Sequence, residues 1–135
     1  MDLTERLVES INTIIDLPIK CKIGYLTKAE TLCAYPLPGG RTLSEDWAGN
    51  KERESQFEIG ITTKDQKLAD QTLWKIANHI DRLQDTHGLV SRDQGFELET
   101  IELTGMPYIS DQDIQGYSTY LLTIKIMYLQ RSERI

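Results

Sequence analysis

The sequence predicts an α+β fold: a mixed, mainly antiparallel sheet of about four to five strands packed against two helices, with a long extended loop. Three observations predict it. Two segments repeat apolar residues at helical spacing, and several others alternate apolar and polar residues with the period of a strand. A run rich in proline and glycine interrupts those strands.

The first helical segment carries Leu3, Leu7, Ile11, Ile14 and Ile15 on one side, with Val8 beside them, and Glu5, Arg6, Glu9 and Asn12 on the other. Asp2 stands where an N-cap belongs, with Glu5 three residues on as in a capping box. Pro18, after Leu17, ends the element. Residues 20–26 alternate as a half-buried strand does, with Cys21, Ile23 and Tyr25 facing one way. Residues 31–35 form a second short apolar run. The segment 36–51 holds Pro36, Pro38, Gly39, Gly40 and Gly49, which predicts a long loop or arm. Loops beyond ~12–15 residues are uncommon in compact domains unless they are functional or disordered. This one contains Leu43 and Trp47, both costly to leave in water.

Residues 52–63 read as a strand with Phe57, Ile59 and Ile61 on one face. Thr63 is placed to cap the next helix, with Gln66 at the matching position. That helix buries a stripe of Ala69, Leu73, Ile76, Ile80 and Leu83, has Trp74 and Ala77 at its border, and stops at Gly88. Residues 96–105 form a strand whose apolar parity switches between Leu98 and Ile101, which predicts a bulge near Thr100. Residues 106–113 read as a connection into a long final strand, 115–130, with Tyr120, Leu122, Ile124, Ile126 and Tyr128 on one face. Fully extended, that strand spans about 50 Å at ~3.3 Å per residue. A compact domain of this size is about 35–40 Å across, so the strand must bend, end early or project. Its second face is not polar either: Tyr117, Leu121, Met127 and Leu129 lie among Thr119, Thr123 and Lys125. Apolarity on both sides requires cover on both sides, from helices or from a neighbouring subunit.

The 135 residues fit a single domain over 1–135. The formal net charge of −6 argues against a general nucleic-acid binder, which carries a basic stripe. No stretch approaches the ~20 apolar residues of a membrane-spanning helix. The first residues lack the basic and apolar regions of a signal peptide, so the cytoplasm is the expected compartment. There Cys21 and Cys33 are expected as buried thiols on adjacent strands rather than as a disulfide.

Catalytic constellations are nearly absent. His79 and His87 are too far apart for one helical turn, and His79, Asp81 and Asp85 do not share a face. Asp111 and Asp113 precede Gly116 without the glutamate of a calcium loop, and read as turn residues. Gly39-Gly40 lacks the lysine and hydroxyl residue of a phosphate loop. No catalytic, metal or cofactor residue is assigned.

The last forty residues carry a resemblance. The run Ile101-Glu102-Leu103-Thr104-Gly105-Met106-Pro107-Tyr108-Ile109, then Asp111, Gly116-Tyr117 and Tyr120-Leu121-Leu122-Thr123-Ile124, resembles the tail terminator and minor capsid proteins of long-tailed bacteriophages. The order of elements and the size are similar as well. The resemblance implies a non-catalytic virion protein at the head–tail junction, assembled in the host cytoplasm. It implies a hexameric ring of copies of itself that ends the tail tube, stops tube protein polymerisation and meets the head–tail connector proteins, while DNA passes through without specific binding. The acidic balance suits such a lumen. Related head-completion proteins, other non-catalytic adaptors, and a small metal-dependent hydrolase using Asp111, Asp113 and His87 are the competing readings. A closed ring needs one patch to meet a different patch on the next copy, and strand addition to a sheet edge is one available mode. Trp and Arg are enriched at binding hot spots. The candidate contact residues are Arg41, Leu43, Trp47, Tyr108, Tyr117, Leu121, Met127 and Leu129.

Overall fold

In the computed structural model, which describes residues 2–26, 30–105, 107–112 and 114–132, two helices lie on one face of a six-stranded sheet. The elements run α1 (Leu3–Ile11), β1 (Cys21–Ile23), β2 (Thr31–Glu45), β3 (Lys51–Thr63), α2 (Gln66–Thr86), β4 (Phe96–Leu103), β5 (Tyr108–Gln112) and β6 (Ser118–Gln130). The strand order is β1-β2-β3-β6-β4, and among the described residues only the β1–β2 pair is parallel. Strand β5 pairs with the first part of β6 and β4 with the rest, on the side of β6 away from β3. The α+β class therefore stands, with strands added where loops were expected.

The largest difference falls on 36–51. It is not a loop: β2 runs through it to Glu45, pairs with β3, and turns only at residues 46–50. Beyond Ala34, among the described residues, no strand pairs with β2 on its outer side, and an outer edge tolerates residues that lack an N–H. Pro36 and Pro38 occupy that edge, and Gly39, at φ 102°, lies within the register shift between Leu37 and Arg41. The residues that read as a turn make a bulge instead. The connection at 106–113 is likewise strand β5 in its described part. Met106 and Asp113 lie outside the described residues, as does the side chain of Asp111.

Several ends also move. Helix α1 stops at Ile11, so Ile15 is exposed rather than in the stripe. Asp2 makes no side-chain cap. Its carboxylate accepts from Ser91 Oγ (2.6 Å) and Arg92 N (2.8 Å) and ties the N-terminus to the segment before β4. Asp65, not Thr63, caps α2 by accepting from Leu68 N at 3.1 Å. Strand β1 ends at Ile23 rather than running to residue 26, and Gly24 follows with a φ of 136°, which favours glycine.

The core matches the periodic stripes. Leu7, Ile11, Leu73, Ile76 and Ile80 from the helices meet Phe57, Ile59 and Ile61 of β3 and Leu122, Ile124 and Ile126 of β6. The bulge in β4 lies between Leu98 and Thr100, and it keeps both Leu98 and Ile101 buried. The final strand starts at Ser118, three residues later than 115, and pairs with β3 without a register shift from Ser118↔Thr63 to Gln130↔Lys51. Its length is matched by β3 rather than left to project. Both cysteines are buried and free. Cys21 is in register with Leu32 on the helix side, and Cys33 with Gly60 on the other, so the two thiols point to opposite faces.

Candidate assembly surface

Strand residues opposite the helix-facing ones build a second face of the sheet that no helix covers among the described residues. Register rows define it. One row holds Cys33, Gly60, Leu121 and Tyr108; the next, Tyr35, Glu58 and Thr123. Leu37, Gln56, Lys125 and Glu102 follow, then Arg41, Glu54, Met127 and Thr100, then Glu52, Leu129 and Glu97. In antiparallel sheets such partners share a face and touch.

At the β1 end of this face Leu26 crosses over Gly60. A Cβ at Gly60 would lie 2.8 Å from Leu26 Cδ1, closer than packed atoms approach, and 3.1 Å from Leu121 Cδ2, a tight contact. The missing side chain is therefore the seat of Leu26, which helps to bury Leu121. The rings of Tyr25 and Tyr35 lie 5.2 Å apart beside this seat. Tyr35 donates to Glu58 Oε1. Burial first, and then the Glu58 carboxylate, push the Tyr35 phenol above its ordinary 10. Tyr25 and Tyr108 remain exposed.

Further along the face, charges pair across strands. Glu54 is buried and accepts from Arg41 Nε at 3.0 Å, with Lys125 Nζ at 3.5 Å. Lys125 also reaches Glu102 at 3.0 Å, and this hydrogen bond first, with the charge of Glu102, holds its ammonium above the ordinary value. The chain Arg41–Glu54–Lys125–Glu102 thus links β2, β3, β6 and β4. Carboxylates outnumber cations on this face, and apolar groups from Leu26 to Leu129 lie between them.

The predicted contact residues do not form one patch. Arg41, Tyr108, Leu121, Met127 and Leu129 share the helix-free face. Leu43 sits half-buried at a second register shift, between Thr42 and Ser44. Trp47 is wholly exposed at the hairpin tip. Tyr117 precedes β6, with Lys64 Nζ 4.9 Å above its ring. Tyr25, Leu26, Tyr35 and Leu37 escaped sequence reasoning. Tyr35 and Leu37 fell in or beside an expected loop, and the role of Leu26 depends on Gly60, a residue with no side chain to count. Among the described residues no three His, Cys, Asp or Glu side chains group as a metal site, and no helix is long and apolar enough to cross a membrane.

The family model described as "Bacteriophage tail terminator protein" matches residues 7–130, nearly the whole chain. The chain belongs to this family. The match runs from within α1 to the end of β6, so it covers the sheet and both helices. A comparison with curated proteins finds no match. Tail terminators are structural proteins of the virion, and in such a protein the helix-free face is read first as a contact surface.

Proposed function

We propose that this chain is a tail terminator that closes into a hexameric ring on the tail tube, stops its polymerisation and joins the tail to the head–tail connector proteins. The observation that carries the reading is the one-sided cover of the sheet: in a member of this structural family, the bare face offers tyrosines, leucines and a methionine to a partner. The partners are other copies, tail tube protein and connector proteins. The net charge of −6 suits a ring through which DNA slides without being held.

The test mixes purified protein with tail tubes. Light scattering and negative-stain images should show a ring, alone or at the tube end, and tubes should stop growing when it is present. A permanent monomer with no effect on tube length overturns the reading. Binding to connector proteins but not to tubes would move the chain to head completion.

A further inference from the structure

The hairpin tip is built to hold one side chain out. Asp46 Oδ1 accepts from Ala48 N and Asn50 N, both at 2.9 Å, and its Oδ2 accepts from Asn50 Nδ2 at 3.0 Å. The backbone closes on itself through Asp46 N to Asn50 O (2.9 Å) and Gly49 N to Asp46 O (3.1 Å), with Gly49 at φ 86°. Asn50 Oδ1 then accepts from Ser132 N at 2.7 Å, tying the tip to the end of β6. This cross-bonded turn leaves Trp47 wholly in solvent. The turn that carries this indole, with roughly 150–250 Å² of side chain to bury, is ordered before docking, so its backbone loses little freedom there.

An apolar cleft lies at the same end of the sheet. Of about 690 Å³, it opens beside β4, with Leu89, Val90, Phe96 and Leu98 as apolar lining and His87 and Arg131 among its polar residues. Glu97, also in the lining, holds Arg131 at 2.8 Å. Its volume is that of ordinary binding pockets, ~300–1,000 Å³. Val90 is exposed there. The tip follows Glu45 and Lys51, which are in register with Gln130 and, across β6, with Phe96. Tip and cleft therefore stand at one level along the strands, toward opposite edges of the sheet, about 14 Å apart by strand spacing. The tip carries the carboxylates Glu45 and Asp46 beside the indole, and the cleft lining includes the guanidinium of Arg131.

We propose that Trp47 of one copy docks in the cleft beside β4 of the next copy, so that this contact, repeated, closes the ring. The inference rests on the ring reading above and names its contact. Two different patches at one level repeat by rotation about an axis along the strands, as a heterologous ring requires. The sheet edges favour side-chain docking over strand addition. Pro36, Pro38 and the register shift blunt β2. On β4, Val90 bridges Glu97 and Gln84 Oε1 accepts from Ile101 N at 2.7 Å.

The test compares wild type, Trp47→Ala and an Ala48→Cys/Val90→Cys variant of the full chain, with and without tail tubes. Trp47→Ala should raise the concentration needed for rings at least tenfold while leaving the thermal midpoint unchanged. The double-cysteine variant should give a ladder of intermolecular disulfides on oxidation. If Trp47→Ala forms rings as wild type does, the inference falls and the ring reading stands. If rings are lost without the cross-link, the indole docks elsewhere and the cleft assignment is overturned. A wild-type chain that makes no ring, even on tubes, overturns both.

Discussion

His79 sits half-buried on α2 with its Nε2 2.8 Å from Ser10 Oγ of α1. Burial first, and then the Arg82 guanidinium, lower its pKa from the ordinary 6.5, while the Ser10 contact acts the other way. A lowered imidazole pKa means that the folded chain binds fewer protons than the unfolded one. The stability it supports is full above 6.5 and is lost as pH falls through the folded value. Thermal midpoints should therefore decline below pH 6.5, and His79→Gln should flatten that decline; an unchanged slope would show that His79 does not set it. The thiols give a second residue-scale expectation. Burial raises Cys21 to about 12, with a smaller contribution from Cys33, and raises Cys33 to about 11, with a smaller contribution from Glu58. Neither should react with a thiol reagent at pH 8 until denaturant is added, because the thiolate is the nucleophile. Burial of these residues could be expected from their apolar neighbours. Their placement on opposite faces required the register between β1, β2 and β3.

The elements with strong periodicity were legible. The α2 stripe from Ala69 to Leu83 and the inward residues of β6 follow the spacing of their side chains, and spacing is a local property. The cap of α2 was misplaced because Thr63 and Asp65 are both capping types. Thr63 Oγ1 instead donates to Glu30 at 2.8 Å and accepts from Asp65 N at 3.1 Å. Asp65→Ala should therefore cost about 1 kcal/mol in a denaturant melt, and Thr63→Ala should act through Glu30 rather than through the helix end. In the hairpin, proline and glycine mark a turn only where no neighbour restores the pairing; here β3 supplied it from one side. The outer part of β2 is largely exposed, whereas Leu32, Cys33 and Ala34 are buried. Deleting 42–49 should keep a single cooperative thermal transition while abolishing rings. Loss of the transition would show that the hairpin tip supports the core.

Across the whole molecule, the described helices cover one side of the sheet and leave the other without helical cover. Leu129 lies on that side, opposite Glu52 of β3 and Glu97 of β4. Leu129→Lys places a cation between two carboxylates, which a sheet accommodates. The fold should therefore hold while a ring or tube contact at this position weakens, read as monomer in light scattering at an unchanged thermal midpoint. Unimpaired assembly would take this end of the face out of the contact. The chain by itself determined its class, its two helices, its buried stripes and the bulge in β4, since each depends on side-chain spacing within one segment. The resemblance in its last forty residues also pointed to the family that the match over 7–130 establishes. Only the tertiary structure decided that 36–51 is a strand hairpin, that Leu26 seats on Gly60, and that Arg41, Glu54, Lys125 and Glu102 form one chain of charges. Each of these depends on which strand lies beside which, and pairing between distant segments leaves no period in the sequence of either one.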